Sequence, residues 1–117
     1  GAIYLGVSPG ALIPYVVHNF EAAHWGRKPE LTFESAALSN TSVLDLGSVF
    51  DFVTANIAYH DLHHLNAMIP SYNLKTCYRE VAPHLNSVKV NWGEIPRCLK
   101  WKLYDEENNQ MVGFSAV

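Results

Sequence analysis

The segment Tyr59–Leu65 reads YHDLHHL and holds three of the six histidines of this 117-residue chain. On an α-helix, positions i, i+3 and i+4 lie on one face, so His60, His63 and His64 point the same way. Three neutral imidazoles that converge on one point suit a divalent first-row metal. Without a metal, such a face leaves ring nitrogens short of partners and repels itself when protonated. The spacing therefore predicts a metal site rather than a solvated histidine face.

Two polar side chains near the histidines are candidates for orienting the rings. Asn56 lies one helical turn before His60 on the same face. Asp61 points away from that face, and the alternative for it is a carboxylate that is simply exposed to solvent. Zinc proteases place a Glu between an i, i+4 pair of histidines, and this chain has none there. We therefore expect no catalytic residues beyond the metal ligands.

The pattern around the histidines predicts a mainly α-helical chain with a small β element at its C-terminus. Ser48 as a cap, Asp51 in the first turn and Pro70 as a stop predict one helix from Ser48 to about Met68. Further helices are expected over residues 10–25, 33–38, 74–81 and 93–100, with a turn at 39–42. Strand patterns occupy residues 87–90, 101–105 and 111–114, the last two separated by a turn that pairs them.

Composition restricts the class of protein. The chain is 49% hydrophobic and 16% charged, with a net charge of -3, which excludes a disordered chain and argues against a nucleic-acid partner. Cys77 and Cys98 form no CxxC pair, so free thiols are expected rather than a disulfide scaffold. One compact domain is the upper limit at this length.

The first 17 residues carry no formal charge, and Arg27 and Lys28 follow shortly after. This arrangement predicts the end of a transmembrane helix at a cytoplasmic boundary, with a buried core segment as the alternative. His18 stands at the end of the apolar run and is the other candidate ligand. His24 lies about 240° further round a helix, and His84 follows a proline in a loop, so neither is expected to bind metal.

Four segments, in order along the chain, resemble the membrane fatty acid desaturases. NIAYHDLHHLNAMIPSYNL (56–74) resembles their third histidine box, HxxHH, with its following IPxYxL run. VVHNFEAAHW (16–25) resembles the segment after the last membrane spans, and SAALSNTSVLDL (35–46) resembles the linker between these two motifs. WKLYDEENNQMVGF (101–114) resembles the C-terminal tail of bacterial acyl-lipid desaturases.

The resemblance implies a four-span integral membrane protein, in a bacterial plasma membrane, with a cytosolic helical cap. It implies two non-haem iron ions held by histidines, O₂ as co-substrate, an acyl-lipid or fatty acyl substrate, and an electron donor such as ferredoxin. By position, His60, His63 and His64 match the third-box ligands, and His18 matches the additional histidine ligand. His24 falls where the family more often has Tyr, so no role carries over to it.

The first two histidine boxes and most of the spans have no counterpart in these 117 residues. The resemblance thus implies the C-terminal third of a desaturase, inactive alone. We divide it into a membrane-edge helix (residues 1–25), a histidine-box cap region (26–86) and a C-terminal tail (87–117). Two alternatives remain: a hydroxylase or ketolase on the same scaffold, or a stand-alone small metal-binding domain.

Overall fold

The computed structural model describes residues 1–26 and 32–116, and about half of them are helical. The helices are α1 (Ala2–His18), α2 (Phe33–Ser39), α3 (Ser48–Val53), α4 (His60–Leu65), α5 (Ser71–Val81) and α6 (Ile95–Cys98). The strands are β1 (Ser42–Asp45), β2 (Val88–Asn91), β3 (Leu103–Asp105) and β4 (Gln110–Val112). Short 3₁₀ turns lie at Ala82–His84 and Phe114–Ala116. The predicted basic boundary at Arg27 and Lys28 lies outside the described residues.

The strands form two small sheets. β3 and β4 pair antiparallel, which confirms the predicted C-terminal hairpin. β1 pairs in parallel with β2, Ser42 opposite Val88 and Asp45 opposite Asn91. β1, a four-residue and mostly buried run, was not predicted from the sequence. Periodicity does not distinguish such a run from a turn or a buried helix segment.

β1 separates two hydrophobic cores because successive side chains of a strand point to opposite faces. Leu44 packs into the first core, which also contains Val17, at the end of α1, and Met111 of the C-terminal hairpin. Val43 packs into the second core, which Leu62 of α4 and residues of α5 complete. The helix that carries the clustered histidines is therefore anchored on one side of β1, and the end of α1 on the other.

Helix α1 begins and ends earlier than the predicted span of residues 10–25. It stops at His18 because Asn19 leaves helical geometry at φ -116° and ψ 70°. The Asn19 backbone N–H and its side-chain Nδ2 both donate to the Tyr15 carbonyl, at 2.9 and 3.0 Å. Among the described residues, no helix combines the length and apolar character needed to cross a membrane.

The helix predicted from Ser48 to Met68 is interrupted between α3 and α4. Ala55 and Asn56 have φ values of 52° and 61°, in the left-handed region. The Asn56 N–H donates to the Asp51 carbonyl at 2.7 Å and the Ala55 N–H to that of Phe52 at 3.2 Å, the Schellman ending of a helix. Ala58 then accepts the Leu44 N–H of β1 at 2.9 Å. The backbone at this point therefore pairs with β1 instead of continuing the helix.

Replacement of Ala55 by glycine tests this strained ending. The Schellman position is usually Gly, since an L-residue pays about 1–2 kcal/mol for a left-handed conformation. Part of this gain is lost to the greater freedom of glycine in the unfolded chain. We expect Ala55→Gly to raise the free energy of unfolding by about 1 kcal/mol, measured by urea titration of the chain.

Gly47 provides the matched control of opposite sign. Its φ is 94°, and a Cβ placed there would meet nothing within 4 Å, so Gly47→Ala adds backbone strain without a clash. We expect this variant to lower the free energy of unfolding by about 1–3 kcal/mol. Equal stabilities of Ala55→Gly and the parent chain would contradict the strain at Ala55.

Candidate metal centre

Three of the predicted ligands converge: His18 at the end of α1, and His60 and His64 one turn apart on α4. The Nε2 atom of His60 lies 3.2 Å from that of His18 and 3.1 Å from that of His64. The ligand atoms of all three lie within 4.8 Å of one another. Imidazole nitrogens on one ion, at ~2.1 Å from it, are about 3.0–3.4 Å apart. The two contacts of His60 therefore have the spacing of ligands that share one divalent ion.

A backbone contact shows which ring nitrogen of His18 carries a proton. Its Nδ1 lies 2.8 Å from the carbonyl oxygen of Asn40, the residue that ends α2. A carbonyl only accepts, so Nδ1 carries a proton, and in the neutral form of the ring Nε2 presents a free lone pair. Metal-bound histidines are typically oriented in this way. The sequence gives no signal for this role of Asn40, because a backbone atom performs it.

The two nitrogen–nitrogen contacts compete for one proton. Since Nε2 of His18 is unprotonated, its contact with His60 is a hydrogen bond only if Nε2 of His60 donates. That nitrogen then has no lone pair left to accept from His64. If it accepts from His64 instead, it faces the lone pair of His18. Neutral rings therefore leave one contact unsatisfied, and a cation facing all three lone pairs removes the conflict.

An added proton does not serve as this cation at neutral pH, because His60 and His64 resist protonation. Burial, followed by the neighbouring His64, His18 and His63, lowers the pKa of His60 to about 4. Burial also lowers the pKa of His64, with smaller contributions from His18 and His63. In addition, Nδ1 of His60 is buried without a hydrogen-bond partner among the described residues. The lowered pKa values favour neutral rings at His60 and His64, with lone pairs available to a metal.

The remaining histidines lie outside this three-histidine group. The ring centroid of His63 is 5.8 Å from that of His60 and 6.1 Å from that of His64, although the spacing predicted one shared face. His24 pairs with the hydroxyl of Tyr104 at 2.8 Å. His84 is exposed in a 3₁₀ turn. The structure therefore brings together His18 and two of the three clustered histidines.

The two candidate orienting side chains contact other parts of the molecule. Asn56 lies on the turn before α4, not on the histidine helix, and its amide donates to the Ser71 carbonyl at 3.0 Å. Asp61 is fully buried, so the alternative of an exposed carboxylate was wrong. It accepts the Leu62 N–H at 2.7 Å and the Ser87 hydroxyl. Burial raises the pKa of Asp61, although these hydrogen bonds oppose the shift.

A cavity of about 190 Å³ opens beside the histidine group. His18 and His64 form one edge of it, and its apolar lining includes Trp25, Phe33 and Ala36. Apolar walls with a few polar groups at one end are typical of small-molecule sites. The arrangement can therefore hold an apolar ligand segment close to a bound metal.

Fold and site together define a helical histidine-cluster protein with an apolar cavity at its candidate metal site. Over 118 residues the chain is 30% identical to a fatty acid desaturase of Bacillus subtilis (strain 168), covering 100% of this chain and 34% of that protein. It is 28% identical to an sn-1 oleoyl-lipid 12-desaturase of Synechocystis, covering 85% of the chain and 30% of that protein. It is 29% identical to a chloroplastic omega-6 fatty acid desaturase of Brassica napus, covering 80% of the chain and 23% of that protein.

The chain is thus a homologue of the fatty acid desaturases, which confirms the resemblance. It spans about a third of the length of the Bacillus relative, and less of the other two. No protein-family model and no solved structure matches it.

Metal titration of the chain tests the histidine group. We expect one Co²⁺ to bind, and alanine at His18, His60 or His64 to weaken binding at least about tenfold, because each removes a ligand. His63→Ala should have a smaller effect, and His84→Ala, the matched control, none. The readout is the visible absorption of Co²⁺ during titration. Binding that survives all three ligand replacements together would contradict the site.

The lowered pKa of His60 predicts how stability depends on pH in the metal-free chain. Between about pH 6.5 and pH 4 the unfolded chain binds a proton at His60 that the folded chain does not. The free energy of unfolding should therefore fall as the pH is lowered through this range. Urea unfolding at several pH values measures the slope, and His60→Asn should make it shallower. An unchanged slope in that variant would contradict the shifted pKa.

Proposed function

We propose that the chain is the histidine-box part of a membrane fatty acid desaturase, an enzyme that uses O₂ to introduce a double bond into an acyl chain. One observation carries the proposal: in a homologue of desaturases, His18, His60 and His64 converge, and both contacts of His60 have the spacing of ligands to one ion.

The donor set fits iron, because neutral imidazoles are good ligands for it. We propose that His18, His60 and His64 hold one iron, and that His63 serves a second iron together with residues outside this chain. When bound, the two irons supply the O₂-activating oxidising chemistry that removes hydrogen from a methylene group, which side chains lack. On its own, the chain offers four proposed ligands for two ions, and we propose that it is inactive alone.

The residues of the chain prepare this site in three ways. The Asn40 carbonyl holds the His18 ring with its free lone pair toward the group. Burial keeps His60 neutral, so no proton has to leave before a metal binds. The apolar cavity lined by Trp25 and Phe33 would receive the substrate chain. We also propose that Asn56 and Asp61 support the histidine segment from outside the ligand set.

The substrate and surroundings follow from the relatives by analogy. The Synechocystis relative is named for an oleoyl lipid, so we propose an acyl-lipid or fatty acyl substrate, with electrons from a carrier such as ferredoxin. Helix α1 is uncharged and exposes Ile3, Tyr4 and Val7, which supports its place at a membrane edge. The histidine-box cap region then lies on the cytoplasmic side, followed by the tail.

Product analysis of the full-length protein that contains this chain tests the reaction. Incubated with acyl lipid, O₂ and a reducing system, it should yield a product two mass units lighter than the substrate. A product one oxygen heavier would identify a hydroxylase or ketolase instead. If the chain alone is stable and metal-loaded and the full-length protein yields no acyl product, the result would favour a stand-alone metal-binding domain.

The ligand assignment is tested in the same full-length protein. His63→Ala and His64→Ala should each abolish the product and lower the bound iron, because each removes a ligand. His84→Ala, outside the three-histidine group, should retain both. Activity retained in His63→Ala or His64→Ala would refute the assignment of that residue.

A further inference from the structure

The orientation of α4 has to come from contacts outside the helix. Six residues are too few to stabilise a helix through its own hydrogen bonds. The preceding residue Tyr59 bridges to Val43 of β1, and Leu62 packs into the second core. These contacts fix where α4 lies. A directional contact from a polar side chain would further restrain the rotation of α4 about its own axis.

Asp61 makes such a contact. It is 0% exposed, and a step of one residue places it about 100° round the helix from His60. One carboxylate oxygen accepts the Leu62 N–H at 2.7 Å, and the other accepts the hydroxyl of Ser87. A buried carboxylate is costly unless it is hydrogen-bonded, and hydrogen bonds are directional. The contact with Ser87 therefore restrains the angle of the helix as well as its position.

Ser87 joins this carboxylate to the central sheet. It comes immediately before β2, which pairs with β1 along four residues. We propose that Asp61 and Ser87 form a positioning pair that sets the rotation of α4 and thereby directs His60 and His64 toward His18. The pair touches neither the proposed metal nor the substrate. This proposal rests on the metal site proposed above.

Asp61 has a second role that must be separated from this one. As an acidic residue in the first turn of α4, it also binds a backbone N–H of the helix end. Ser87→Ala removes the link to the sheet and leaves that contact in place. Ser87→Thr retains the hydroxyl and serves as the conservative rescue. Met111→Ala removes a buried side chain from the first core and controls for a general loss of stability.

Hydrogen exchange in the metal-free chain tests the link directly. The N–H groups of His63 and Asn66 report on α4, since they donate to the Tyr59 and Leu62 carbonyls. In Ser87→Ala they should exchange faster relative to the amides of α5, and in Ser87→Thr they should not. In Met111→Ala any acceleration should be shared by α4 and α5. Unchanged α4 exchange in Ser87→Ala would overturn the proposal.

Co²⁺ titration tests the consequence for the ligands. Ser87→Ala should weaken binding about tenfold and shift the visible spectrum, the size of effect typical of residues that orient metal ligands. Ser87→Thr should match the parent chain in both readouts, and Met111→Ala should retain the parent spectrum. Parent-like affinity and spectrum in Ser87→Ala would overturn the positioning role. Failure of the parent chain to bind Co²⁺ would refute the metal site itself, and the exchange data alone would then decide on the pair.

Discussion

The structure depends on the four residues of β1. This strand pairs with β2, interrupts the helix pattern at Ala58 and Tyr59, and sends Val43 and Leu44 into different cores. Just before it, Asn40 places its carbonyl on the ring of His18. A short strand thus determines the positions of the candidate ligands on α1 and on α4, although it contributes no ligand itself.

The sequence predicted the elements that are determined by residues close together along the chain. The hairpin of β3 and β4 follows from residue alternation within a few positions, and α2 lies where a helix was predicted over residues 33–38. It failed where distant residues decide the backbone. The break at Ala55 exists because residues 58 and 59 bond to β1, and no pattern within 48–68 encodes that partner.

The candidate site shows the same division. Periodicity predicted that His60 and His64 share a face, and that prediction holds on a helix of six residues rather than one of about twenty. His18 was a candidate from its place at the end of the apolar run, the resemblance matched it to the additional histidine ligand, and the structure brings it to the same point from a separate helix. The Asn40 carbonyl and the Ser87 hydroxyl act only through tertiary contacts, so the residue types in the chain do not reveal them.

The position of the three-histidine group links metal binding to the packing of the chain. His18 directly follows Val16 and Val17 of the first core, whereas His60 and His64 flank Leu62 of the second. An ion held by all three joins elements anchored on opposite sides of β1. Because such a ligand binds only when both cores are in place, its binding energy adds to the stability of the folded state. A metal held by these three histidines would therefore also connect the two cores.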